Sequence, residues 1–226
     1  MFELISDVTP DGNSYLISSL GLLAASFTSL FSVVNPLAAM PVFLSLTNRF
    51  EAEERSRTAI WASIYMFGIL VTFLLIGTFV LSFFGISLPG IRIAGGLIIM
   101  RAGYAMLNPE SSGKKLTDED QAAAMEKEDI SFSPLALPLL SGPGSIAVVI
   151  GFASQASSIG DYVVNAISIF LVVVVSYILL RLAPISAKYI GQTGLNVMTR
   201  LMGFIVLAIS VQFILSGISQ YFRIAI

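Results

Sequence analysis

The sequence predicts an all-α integral membrane protein of six transmembrane helices, arranged as two inverted three-helix repeats with the first and fourth helices broken. Three observations carry that reading: the composition, the spacing of the charges, and a match of the chain against itself. Of 226 residues, 56% are hydrophobic and 12% charged, with a mean hydropathy of +0.88. Soluble domains run at roughly 45–50% apolar and 25% charged, so a bilayer is the solvent these residues require. The chain has no cysteine and no histidine. Disulfides, thiolate or imidazole metal sites, a Ser-His pair and a Cys nucleophile are thereby excluded. No enzyme activity, metal or cofactor is expected. A net charge of -2 with no clustered basic stretch excludes a nucleic-acid surface.

Long uncharged stretches bounded by charges place the spans at about 14 to 47, 58 to 83, 88 to 107, 133 to 153, 162 to 180 and 200 to 222, since about 20 apolar residues cross the hydrocarbon core. Gly85 and Pro89-Gly90 supply turn chemistry between the second and third. The N-terminal segment carries Glu3, Asp7 and Asp11 without Lys or Arg, so it lacks the positive start of a cleavable signal peptide and is read as retained. Arg49, Arg55, Arg57, Lys114, Lys115, Lys127, Arg181, Lys188 and Arg200 fall on one side of this layout or at its border, against Arg92 and Arg223 on the other. The positive-inside rule then makes the loops near 52, 120 and 190 cytoplasmic and puts both termini outside.

Sliding the chain by 108 positions lays Ile91-Arg92-Ile93-Ala94-Gly95 on Thr199-Arg200-Leu201-Met202-Gly203, and a slide of 107 lays Asn35-Pro36 on Gly142-Pro143. Three spans per copy is an odd number, so the copies must insert in opposite directions, as in many secondary transporters. The domain division follows: 1–107 as the first repeat, 108–130 as a cytoplasmic linker, and 131–226 as the second, inverted repeat.

The breaks follow from length. Between Asp11 and Arg49 lie 37 uncharged residues, and between Asp129 and Asp161 lie 31; the first, as one helix, would be about 55 Å long. The first run contains Asn35-Pro36 and Pro41, and the second contains Pro134, Pro138 and Ser141-Gly142-Pro143-Gly144-Ser145. Proline removes an amide donor and clashes with the preceding turn, while it suits the first position of a new helix. An interrupted helix is tolerable in lipid only where protein or a wet cavity satisfies the freed groups, so both breaks should face inward. The new helix starts, with amides around Leu37, Ala38 and Ala39 and around Gly144, Ser145 and Ile146, would suit an anionic group.

Two further polar residues lie inside spans. Arg101 could pair with a substrate carboxylate or snorkel to the interface, and Gln212 could donate to substrate or bridge helices. No Asp or Glu lies inside a span, which weakens a carboxylate proton relay but leaves H⁺ or Na⁺ coupling open.

The runs Asn35-Pro36-Leu37-Ala38-Ala39-Met40-Pro41, Gly85 to Gly96, Pro134 to Gly144 and Arg200-Leu201-Met202-Gly203-Phe204 to Gln212-Phe213-Ile214 closely resemble the MarC family of inner-membrane proteins. The resemblance covers nearly the whole chain outside the linker. It implies a multi-pass inner-membrane protein, and through the SnatA-like branch a transporter of small neutral amino acids such as glycine and alanine. Asn35, Pro36, Pro41, Gly142, Pro143 and Gly144 are the motif positions carried over. With Leu37, Ala38, Ser141, Ser145, Arg101 and Gln212 they form the candidate substrate-binding set. An exporter of other small amphiphilic solutes and a non-transporting membrane scaffold are the competing expectations. The expected partners are a small-molecule substrate and the lipid bilayer, and the sequence leaves homo-oligomerisation open.

Overall fold

A computed structural model of the chain describes residues 12–47, 49–107, 131, 135–136 and 140–223. Among these it is helical, with no strand. The first apolar run gives α1 (Gly12–Val34) and α2 (Pro36–Leu46), separated by Asn35 alone. After Glu51, α3 (Ala52–Phe83) starts with Glu53 and Glu54 in its first turn, where carboxylates complement the helix dipole. Gly85 turns the chain at φ 65, a conformation costly for residues with a Cβ. Ser87 then opens α4 (Leu88–Leu107): its hydroxyl accepts from the Gly90 amide at 3.3 Å and its carbonyl from Ile91 at 3.1 Å. The helix α5 (Pro143–Gln155) is followed by α6 (Ile159–Phe222), begun by a capping box in which Ser158 and Asp161 each accept the other's backbone amide.

At 64 residues α6 would be about 96 Å long if straight. Gly191 breaks it at φ 68, ψ 171, and Pro184 removes one further amide from the ladder. Its first limb packs on α1, where Ser26 donates to Asn165 Oδ1 at 2.7 Å and Ser168 to the Leu23 carbonyl at 3.3 Å. Its second limb packs on α4 through Pro89 with Gly217, Gly96 with Ser210 and Gly103 with Gly203. Residue numbers rise on one helix as they fall on the other, so the two are antiparallel.

Five stretches are long and apolar enough to cross a bilayer: Ile17–Leu44, Ala52–Phe83, Leu88–Leu107, Ile159–Ser186 and Thr199–Phe222. The expected fourth span, 133 to 153, is described as the 13-residue helix α5, too short to cross alone, while Pro134 and Pro138 lie outside the described residues. The expected fifth span ended at 180, but the helix runs on past Arg181 and Pro184, because charge ends a hydrophobic stretch without ending a helix. The linker 108–130 also lies outside the described residues. The core is built from Leu30, Phe43, Met66, Leu70, Ile169 and Val172. Leu75, Phe79, Phe83, Phe170, Leu201 and Phe204 are exposed, an outward apolar surface suited to lipid.

Candidate functional site

Asn35 is the hinge between two helices. Its amide closes α1 on the Phe31 carbonyl at 2.9 Å, and its own carbonyl accepts from Ala38 at 3.1 Å and Ala39 at 3.2 Å to open α2. It holds the left-handed conformation, φ 47, ψ 61. Asparagine is among the few residues with a Cβ that adopt it readily. The side-chain Oδ1 accepts from the Ala38 amide at 3.3 Å, capping the new helix, while Nδ2 meets only the weakly accepting Met106 sulfur at 3.9 Å. Pro36, buried beside it, occupies the first helical position. The Leu37 amide has no acceptor within the helix by geometry. Pro41, lacking an amide hydrogen, leaves the Leu37 carbonyl without its donor as well. Leu37 and Pro41 are half-buried and Ala38 buried.

The second helix start lacks a side-chain cap. Gly142, at φ -68, ψ 171, sits at the N-cap of α5 and accepts from Ile146 at 3.1 Å, but no side chain caps the start. Pro143 has no amide hydrogen, so the amides of Gly144 and Ser145 are the open donors. Both residues are buried, Gly142 is half-buried and Pro143 is exposed. Upstream, the Ser141 amide reaches back five residues to the Ala136 carbonyl at 2.8 Å, a π-type spacing that widens the turn. The Ser145 hydroxyl donates to the Leu140 carbonyl at 3.2 Å. The Ser141 hydroxyl is fully buried and is the one buried side-chain polar atom without a partner among the described residues. Buried polar groups are almost always paired, so this hydroxyl sets the start of α5 apart.

The two starts lie side by side. A Cβ added to Gly144 would meet Ile99 and, at 3.3 Å, the Cγ1 of Val33, two residues before the first break. Helix α4 backs both, touching the start of α5 with Ile99 and that of α2 with Met106, two helical turns on. From there α5 runs back along α1, because Gln155 shares a cleft with Ser18 and Ser19 near the far end of α1. Asn35, Pro36, Leu37, Ala38, Pro41, Ser141, Gly142, Pro143, Gly144 and Ser145 thus gather at these starts. Arg101 does not: it is exposed, about 160° around α4 from the buried Ile99 and Gly103. Gln212 lies near the middle of the span Thr199–Phe222 and away from the helix starts, where its Nε2 contacts the Ser216 hydroxyl at 3.5 Å and it lines a cleft with Ser29 and Arg92.

Sequence reasoning missed the serine face of α1 and its partner Asn165. No local signal marks it, since hydroxyls in apolar helices commonly bond their own backbone, as Thr28 and Ser32 do here to carbonyls four residues back at 2.7 Å. Among the described residues no group of three or more Asp, Glu, His or Cys gathers to hold a metal ion.

Residues 20–222 match the family profile described as MarC family integral membrane protein. A UPF0056 membrane protein of Methanocaldococcus jannaschii is 39% identical over 193 residues, covering 85% of this chain and 94% of its own. The UPF0056 membrane protein YvbG of Bacillus subtilis is 36% identical over 199 residues, with 88% and 94% covered. The UPF0056 inner membrane protein MarC of Escherichia coli is 37% identical over 207 residues, with 86% and 92% covered. No solved structure matches the chain.

Proposed function

The chain belongs to the MarC family of integral membrane proteins, and from that premise we propose that it is a secondary transporter of small neutral amino acids, of glycine or alanine type. The observation that carries this reading is the start of α5: two amides without intrahelical acceptors, beside the unpartnered buried hydroxyl of Ser141. A carboxylate there would satisfy all three donors and the positive end of the helix dipole. The ammonium group of a zwitterion would be taken up by the Leu37 carbonyl that Pro41 leaves without a donor. Small residues favour a small solute: Gly144, Ser145 and Ala38 line the starts, and Ile99 packs closely against Gly144.

Alternating access would come from rocking two inverted three-helix repeats about the shared starts. The antiparallel packing of α4 on the second limb of α6 supports this, since inverted copies must set their third helices in opposite directions. In this reading the chain sits in the inner membrane with both termini outside. Coupling is to H⁺ or Na⁺, without a cofactor.

Uptake of labelled glycine into proteoliposomes, with H⁺ and Na⁺ gradients imposed separately, tests the function. Accumulation driven by one gradient supports it. A folded protein that moves neither glycine nor alanine above empty liposomes returns the chain to the exporter or scaffold reading.

A further inference from the structure

Three adjoining clefts of about 220, 510 and 570 Å³ run along the serine face of α1, between it and α5 and the two limbs of α6. Ser29 lines all three, and Phe152 and Gln155 line the first two. The groove begins beside Ser18 and Ala156, at the chain turn between α5 and α6, and reaches Ala147 and Val148. These lie one turn beyond the open amides of Gly144 and Ser145.

Its lining holds polar groups, not fully enclosed, that no described residue satisfies. Asn165 is 2% exposed; its Oδ1 is taken by Ser26 at 2.7 Å, and no described residue accepts from its Nδ2. The Ser29 hydroxyl meets no hydrogen-bond partner among the described residues. In a bilayer such groups must meet water or a ligand, because hydrocarbon offers them nothing. The groove also has charged poles. Asp161 lines one end, where its Oδ2 accepts from the Ser157 and Ser158 amides at 2.7 and 3.1 Å, leaving Oδ1 less engaged. Arg92 lines the other, with one Nη1 donation to Gln220 at 2.9 Å and further guanidinium donors remaining.

We propose that this groove is a water-filled entry vestibule with its own binding site for a small zwitterion, centred on Ser29 and Asn165, the ammonium end toward Asp161 and the carboxylate end toward Arg92. The inference rests on the transporter reading for the identity of the solute, but its geometry is separate from the helix starts. Asn165 would donate to the solute from a position fixed by Ser26, and the opposed poles would orient the zwitterion before it descends.

Because the chain has no cysteine, Ser29→Cys gives a single thiol at a position that loses no hydrogen bond. In proteoliposomes of the full chain, a small impermeant thiol reagent should label it from the side of Ser157. Glycine at about ten times its Kd should slow the labelling about tenfold, by simple occupancy. No labelling, or labelling at the same rate with glycine present, overturns the vestibule. Uptake measured on the unaltered protein separates the two readings. Glycine uptake without protection of the thiol sinks the vestibule alone, and protection without uptake keeps the vestibule and sinks the transporter. Asn165→Leu and, as a second variant on the exposed rim, Gln155→Ala should raise the KM for glycine while leaving kcat within about twofold. A loss confined to folded protein or kcat would reduce these residues to a structural role.

Discussion

Gly103 and Gly203 face each other across α4 and the second limb of α6 so closely that a Cβ on either would stand 3.1 Å from the other's carbonyl oxygen. The relation repeats in steps of seven: a Cβ on Gly96 would stand 2.9 Å from the Ser210 carbonyl oxygen, and one on Gly217 2.9 Å from that of Pro89. Along this seam backbone packs on backbone, which lipid-embedded helices use because burial of apolar side chains gains nothing over lipid.

Gly203→Leu should therefore separate the helices. Its Cβ would fall against Met106 Cβ and the Leu107 amide, neither of which is a flexible side-chain end. A loss of about 1–3 kcal/mol is expected, read as a melting temperature several degrees lower. Gly68→Ala, with nothing within 4 Å of the new methyl, should leave the melting temperature unchanged or slightly raised.

Asn35 combines a left-handed backbone with a cap, and the two are separable. Asn35→Gly keeps the conformation at no steric cost and loses the cap, whereas Asn35→Ala loses both. The alanine variant should melt lower than the glycine variant by about 1–2 kcal/mol of stability. If Nδ2 also serves the solute, both variants should bind glycine roughly ten- to a hundredfold more weakly. Binding isotherms and melting curves on the same preparations distinguish the roles, and unchanged glycine affinity in both removes Asn35 from the site.

The first break was legible from Asn35 and Pro36 together, since asparagine tolerates the left-handed conformation and proline suits the first helical position, whereas Pro41 and Pro184 alone do not end their helices. The turn at Gly85 was legible too, but Pro89 and Gly90, expected as turn residues, lie inside α4, because proline and glycine are tolerated in a helix's first turn. What the sequence hid is side-chain direction and long-range pairing. Arg101 reads as a charge inside a span, yet the helical turn carries it to the exposed face of α4, away from the breaks. Ser26 and Asn165 are 139 positions apart, and nothing in either neighbourhood announces the other. The break at Gly191 was expected only as a loop, since one glycine between charges does not say that the helix continues on both sides.

Arg55 holds the far end of α2. Its guanidinium donates to the Thr47 carbonyl at 2.7 Å, to the Thr47 hydroxyl at 3.1 Å and to the Phe50 carbonyl at 3.2 Å, so a cation sits at the negative end of a short helix. Arg55→Ala should cost about 1–3 kcal/mol, and Arg55→Lys should recover only part of it, because one ammonium cannot reproduce the planar fork. Thermal melting of both variants checks this; full recovery by lysine would show that charge alone matters.

The orientation inferred from Lys and Arg has its own test. Single cysteines at the exposed positions Ser157 and Glu53 should label with an impermeant reagent from opposite faces, Ser157→Cys from outside and Glu53→Cys from the cytoplasm. Reversed labelling would invert the topology while leaving the fold intact.

The claim that the α5 start holds a carboxylate is tested most directly by calorimetric titration of the purified full chain with glycine and with glycinamide, which has nearly the same size but no carboxylate. Charge-assisted bonds from the Gly144 and Ser145 amides and the Ser141 hydroxyl should make glycine bind roughly ten- to a hundredfold more tightly than glycinamide, with the difference shrinking in Ser141→Ala. Equal affinity for the two, or no binding of either to folded protein, would contradict the account.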